Sequence, residues 1–141
     1  MHRWCLCAAL VCIACSAGVP PSPIEVRLAW ARPADSAATT AAYFVVVNHE
    51  SGAVTLTSES SPIAEATSLH ETMEASGMMH MTAVQGPVVI APGDSLVLKP
   101  GARHLMASGL TRRLSVGDSL PLVLTFADGR TVRAVAVVRA P

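Results

Sequence analysis

Apolar and polar residues alternate along most of the chain, in short stretches that turn residues interrupt. From Ile24 to Trp30 every second residue is apolar (Ile24, Val26, Leu28, Trp30), which is typical of a β-strand with one buried face. Similar runs predict strands at 42–48, 54–57, 78–84, 88–90, 95–98, 104–107, 119–126 and 131–138, while 64–72 fits a strand or a helical turn. No segment keeps a helical period, and residues 110–114 form a helical turn at most. The pattern indicates one all-β domain, a sandwich or barrel.

Turn residues join these runs. Asp128-Gly129 predicts a two-residue hairpin between the last two strands, and Glu50-Ser51-Gly52 predicts another after the run at 42–48. A third hairpin is expected around residues 85–93. Asp94, Asp118 and Asp128 are interpreted as turn residues whose carboxylates accept hydrogen bonds from backbone N–H groups.

The first 18 residues resemble a secretory signal peptide. A basic start precedes an apolar run from Cys5 to Ala14 and the small residues 16–18. The run is shorter than the roughly 20 residues of a membrane-spanning helix. We expect cleavage near Ala17 or Gly18; the alternative is a lipoprotein signal that anchors the protein to the membrane through Cys15. All four cysteines lie in this segment, so cleavage near Gly18 leaves a mature chain without disulfides or thiolates.

After the signal, residues 19–23 form a Pro-rich linker and 24–141 the folded domain. The net charge is zero, and the single lysine and scattered arginines argue against a nucleic-acid partner. No paired carboxylates and no nucleophile with a neighbouring base stand out, so we predict no enzymatic activity.

The candidate chemistry lies in histidines and methionines. His70, Met81, His104 and Met106 are two imidazoles and two thioethers, and Met73, Met78, Met79 and His80 crowd the same region. Because residues i and i+2 of a strand share a face, His104 and Met106 project together, while Leu105 turns into the core. Met79 and Met81 likewise share one face, and Met78 and His80 share the other.

This donor set favours Cu(I). Soft thioethers select Cu(I), whereas zinc prefers thiolate, imidazole or carboxylate, and a blue-copper site needs a cysteine thiolate. Each residue has an ordinary alternative, since a strand Met usually fills a core and a His usually lies at the surface. On that basis Met78 and Trp30 are assigned to the core, and His49 and His80 to the surface.

The spacing resembles that of the periplasmic copper chaperones of the PCu(A)C family. Their pattern is a His, ten residues, a Met, twenty-one residues, then His-x-Met. Here ten residues separate His70 from Met81, and twenty-two separate Met81 from His104-Leu105-Met106. The extra residue is placed in the hairpin expected at 85–93. Further similar segments, which extend the resemblance over residues 24–138, are Ala29–Arg32, Ala41–Asn48, Leu69–Glu71, Leu98–Gly101, Gly117-Asp118 and Leu122–Phe126.

The resemblance implies a cupredoxin-like Greek-key sandwich with a Cu(I) site made by His70, Met81, His104 and Met106. It implies a periplasmic protein that delivers copper to the subunit of a haem-copper (cytochrome c) oxidase that carries the binuclear copper centre, alongside a Sco-type thiol protein. We expect the protein to be a monomer. Many relatives have a second Met where this chain has Thr72, and Met73 or Met79 is an alternative ligand. Some relatives have a His- and Met-rich tail that binds Cu(II), and the C-terminal sequence here predicts none.

Two rival functions are compatible with the same residues. One is a periplasmic protein that sequesters copper at the same site and confers resistance. The other is a β-sandwich assembly module that binds no metal and uses its methionines for packing.

Overall fold

The computed structural model describes residues 22–141, and every regular element in that range is a β-strand. The strands are β1 (Ile24–Ala31), β2 (Thr40–Asn48), β3 (Val54–Ser60), β4 (Ala64–Ala75), β5 (Met78–Ala83), β6 (Val88–Ile90), β7 (Ser95–Val97), β8 (Arg103–Leu110), β9 (Ser119–Phe126) and β10 (Thr131–Val138). The predicted all-β class is confirmed. Within these residues no helix could cross a membrane. The predicted signal peptide and linker residues 19–21 lie outside the described range.

The strands follow one hydrogen-bonded path, β5-β4-β8-β2-β1-β10-β9-β3-β6, and β7 pairs with β2 beside it. Buried side chains from distant parts of this path, among them Phe44 on β2, Leu56 on β3 and Leu105 on β8, belong to one core. The path therefore folds over on itself into two layers. The core is aliphatic apart from Phe44 and Phe126.

Two of the three expected hairpins are wrong. β2 pairs with β1, β7 and β8, while β3 pairs with β6 and β9, so residues 49–53 cross between layers. The buried Asn48 amide stabilises this crossing, because its Nδ2 donates to the carbonyls of Gly52 (2.8 Å) and Ile90 (3.1 Å). β5 and β6 also pair with different strands, so residues 85–93 form no hairpin. The β9–β10 hairpin at Asp128-Gly129 is confirmed.

Strand β1 departs from its expected alternation at a bulge. The register with β2 shifts between Arg27 and Trp30, and Leu28 has a φ of 55° and is exposed. A bulge adds one unpaired residue and reverses the facing that follows. Trp30 is therefore half-buried rather than in the core, with its ring 4.5 Å from that of Tyr43 and under the Arg139 guanidinium. No helical turn forms at 110–114, where Leu114 pairs with Ala34 instead.

The alternation of β2, β4 and β8 decides where the histidines lie. Phe44, Leu69 and Leu105 point into the core. Their neighbours Tyr43, His70 and His104 consequently lie on the opposite, outer face of the same three strands.

Candidate metal centre

His70 and His104 are directly opposite each other on adjacent strands. They are paired in the register between β4 and β8. Their rings are stacked, with centroids 5.9 Å apart and planes 19° from parallel. His104 is only 5% exposed, and His70 is partly exposed. The register thus brings the two imidazoles together on the outer face.

The two methionines join the histidines on that face. Met106 lies two residues beyond His104, opposite Ser68 of β4 and Ala41 of β2. Met81 is opposite Thr72, which lies two residues beyond His70. A groove of about 390 Å³ is lined by Met81, His104 and Met106, together with Arg32, Pro33, Thr39, Thr40, Ala41, Tyr43, Thr72 and Gly101. Three of the four predicted ligands therefore line one groove. The fourth, His70, stacks its ring against that of His104.

The hydrogen bonds of His104 prepare it to bind a metal. Its Nδ1 lies 3.0 Å from the carbonyl oxygen of Ala102, and since that oxygen can only accept, Nδ1 carries the proton. In the tautomer with the proton on Nδ1, the lone pair is at Nε2. A backbone carbonyl that holds the distal N–H of a histidine in this way is the usual support of a metal-binding imidazole.

The groove has no carboxylate in its lining. Glu71, next to His70, has its side chain near Arg103, with Oε1 3.2 Å from Nε. Arg32 is the charged residue of the groove, and its guanidinium lies 5.9 Å from the Tyr43 ring centroid. In residues 22–141, no three His, Cys, Asp or Glu side chains are grouped so as to hold a metal ion. The arrangement thus combines neutral nitrogen and sulfur donors.

The longer gap between Met81 and His104 leaves the facing of both residues intact. The β4–β5 and β4–β8 registers run without a shift through Thr72↔Met81 and His70↔His104. Because alternate residues of a strand share a face, His70 and Thr72 lie on one side of β4. Their register partners, His104 and Met81, therefore lie on that same side of the sheet.

The chain is similar to several known proteins over most of its described length. A family model described as "Putative lipoprotein LpqE-like" matches residues 24–138. Putative lipoprotein Lxx21020 of Leifsonia xyli subsp. xyli is 34% identical over 108 residues, which cover 77% of this chain and 64% of that protein. The chain thus spans less than two thirds of this relative's length.

Two solved structures are similar throughout the fold. The Cu(I) form of DR1885 from Deinococcus radiodurans is 30% identical, with a TM-score of 0.60 over 87% of this chain and 83% of DR1885. The copper-bound PCuAC domain of PmoF2 is 20% identical, with a TM-score of 0.67 over 85% of this chain and 95% of that domain.

The chain belongs to the PCuAC family. The predicted family and the predicted cupredoxin-like fold are both confirmed.

Tyr43 lines the PCuAC groove and was not among the predicted site residues. It is buried on the outer face of β2, with its ring centroid 6.5 Å from that of His104. Trp30 packs on its other side and does not line the groove. The signal was present in the strand pattern, since placing Phe44 in the core puts Tyr43 on the face of the histidines. The carbonyl of Ala102 has no such signal, because a backbone group leaves none in the side-chain pattern.

The remaining predicted residues of this PCuAC domain divide between the two faces of the β4–β5 pair. Met79 shares the face of Met81, whereas Met73 and His80 are opposite each other on the other face. His80 is exposed, as predicted, but Met78 is also exposed, so its assignment to the core is wrong. Met78 lies where β5 has no further strand beside it.

The predictions for surface and turn residues hold. His49 is exposed, with its Nε2 2.8 Å from the Glu25 carboxylate. The carboxylates of Asp94, Asp118 and Asp128 each accept from a nearby backbone N–H, at 2.7, 2.8 and 3.0 Å.

Proposed function

We propose that this protein is an exported, non-enzymatic copper chaperone that carries one Cu(I) on His70, Met81, His104 and Met106. The observation that carries the proposal is the buried His104, whose Nδ1–H is held by the Ala102 carbonyl in a groove shared with two thioethers. Family membership supports it, because solved structures of this family include copper-bound forms.

The donor set suits Cu(I) outside the cytoplasm. Thioethers are soft ligands that carry no proton, so metal does not compete with protons at Met as it does at Cys. The absence of carboxylates from the groove lining disfavours hard divalent ions. Export to the periplasm is supported by the signal-like first 18 residues and by a relative named as a putative lipoprotein.

The unequal exposure of the ligands supports a transport role. His104 is 5% exposed, whereas Met81 is 57% exposed on the edge strand β5. An incoming ligand can therefore replace Met81 first, while the buried imidazole keeps its bond until last. Thiolates bind Cu(I) more strongly than thioethers, so transfer of the ion to an acceptor with cysteine ligands is favourable. The acceptor we infer is the binuclear copper centre of a haem-copper oxidase, loaded with the help of a Sco-type thiol protein.

Competition against a Cu(I) chelator of known affinity tests the site. We expect the mature chain to bind one Cu(I) tightly, and His104→Ala and Met106→Leu to weaken that first equivalent by orders of magnitude. Met78→Leu is the control for loss of a methionine, since Met78 is exposed and lies on the face of β5 that the proposed site does not use. Wild-type affinity in both ligand variants would overturn the site assignment.

Transfer of the bound ion tests the chaperone role separately. Copper-loaded protein is mixed with the soluble, copper-free domain of the oxidase subunit, and the metal is followed after the two proteins are separated. Copper on the oxidase domain supports delivery. Copper that stays behind, together with copper sensitivity but normal oxidase activity in a deletion strain, would favour sequestration.

A further inference from the structure

The end of the β4–β5 hairpin extends beyond the sheet as a two-stranded ribbon. β8 pairs with β4 only as far as Glu71↔Arg103, whereas β4 and β5 continue to Ala75↔Met78. Ser76 and Gly77 close the ribbon with φ values of 55° and 75°, as in a type I′ turn. Residues 72–75 and 78–81 therefore have β-strand neighbours only within the hairpin, and beyond Thr72 the side chains on both faces of the ribbon are exposed.

Four of the six methionines of the chain lie on this ribbon, each between 55% and 62% exposed. Methionine is ordinarily a core residue, and the core here is complete without them. The candidate centre described above uses one of the four, Met81. The exposure of the other three is therefore unexplained by packing or by that centre.

Three side chains that can bind copper lie on the face of the β4–β5 ribbon that the first centre does not use. Met73 is directly opposite His80, and Met78 lies two residues before His80 on the same face. Side chains directly opposite each other in a sheet have Cβ atoms about 5 Å apart, and diagonal pairs are within reach of long side chains. The register thus makes two thioethers and one imidazole neighbours on one face of the ribbon.

We propose that Met73, Met78 and His80 form a second site for Cu(I) on the outer end of the hairpin. The next residue along that face is Glu71, whose carboxylate is paired with Arg103. The second site is consequently a neutral set of two sulfurs and one nitrogen, which selects a soft monovalent ion. Its ligands are all exposed and lie on a two-stranded ribbon, whereas the first centre includes the buried His104, so the second site binds more weakly and exchanges faster.

The location gives the second site a use in loading. It lies on the opposite face of the strand that carries Met81, and its ligand His80 is the chain neighbour of Met81, so an ion captured there is close to one ligand of the first centre. The choice of Cu(I) as the ion rests on the proposed function. The clustering of the three donors follows from the strand register alone.

The test is a Cu(I) titration of the mature chain, repeated with Ag(I), with the methyl resonances of the methionines followed by NMR. The first equivalent should shift Met81 and Met106, and a second, weaker equivalent should shift Met73 and Met78. The double variant Met73→Leu/Met78→Leu should lose the second equivalent and keep the first. Met79→Leu is the matched control, because Met79 adjoins Met78, has the same exposure and lies on the opposite face.

The His104→Ala/Met106→Leu variant separates this proposal from the first one. It should lose the tight equivalent and still show the weaker shifts at Met73 and Met78. Saturation of the wild type at one equivalent, with Met73 and Met78 unshifted, would overturn the second site and leave the first intact. Equal loss of the second equivalent in the control Met79→Leu would also overturn it, since binding would then follow the methionine content of the hairpin rather than one face.

Discussion

Replacing Met81 by leucine should separate copper binding from folding. Met81 is more than half exposed on an edge strand, and leucine is similar in volume. Surface substitutions of this kind usually change the free energy of unfolding by less than about 0.5 kcal/mol. The copper-free variant should therefore melt within about 2 °C of the wild type, given that about 1 kcal/mol moves the Tm of a domain this size by roughly 4 °C.

The copper-loaded variant should behave differently. Changing a group that only orients a metal ligand costs about 10- to 100-fold in affinity, so loss of a ligand should cost at least about 100-fold. A ligand that binds only the folded state stabilises it by RT ln(1 + [L]/Kd), and a 100-fold weaker Kd removes about 2.7 kcal/mol. The rise in Tm on adding copper should then shrink by about 10 °C.

The assay is thermal unfolding followed by circular dichroism, with free Cu(I) buffered at a level that fills only the tighter site. Met78→Leu, on the same strand and equally exposed, should keep the full copper-induced rise. A rise in Met81→Leu as large as in the wild type would refute the assignment of Met81. Equal losses in both variants would show that exposed methionines act without regard to face.

Three further predictions concern folding stability. Leu105 is fully buried between the two ligands of β8, so Leu105→Ala should lower the free energy of unfolding by about 2–5 kcal/mol in urea titrations. Burial raises the pKa of the Glu59 carboxyl, so folding favours its protonated form. The stability gained in this way is complete below the ordinary pKa and is lost as the pH rises through the raised value. Glu59→Gln should therefore raise Tm at pH 7 and have no such benefit near pH 3; a benefit independent of pH would contradict this. Arg130 lowers the pKa of Glu50 and of Asp128, so the stability it contributes is present at neutral pH and is lost as the pH falls through the lowered values. The difference in Tm between wild type and Arg130→Gln should accordingly shrink on acidification, and a constant difference would count against the ion pairs.

The strands and the facing of the candidate ligands could be predicted from the sequence because they depend on local alternation. His104 and Met106 share a face for the same reason that Leu105 is buried, and the structure agrees. The ligand assignment itself stays a prediction until metal is measured.

Strand partners could not be predicted in the same way, because pairing depends on contacts far apart in the chain. The Glu50–Gly52 turn has the composition of a hairpin, yet β2 and β3 pair with other strands, and the buried Asn48 amide holds the crossing between them. The exposure of Met78 is similar, since alternation alone does not reveal that β5 is an edge strand whose end extends past the sheet. The bulge at Leu28 likewise has no local signal, since the apolar alternation continues through it.

X-ray absorption at the copper edge, on protein loaded with one equivalent of Cu(I), reports the ligands of the ion. We expect a first shell of two imidazole nitrogens and two thioether sulfurs, which loses one sulfur in Met81→Leu and is unchanged in Met78→Leu. A shell without sulfur, or one that Met81→Leu leaves unaltered, would contradict the proposed site.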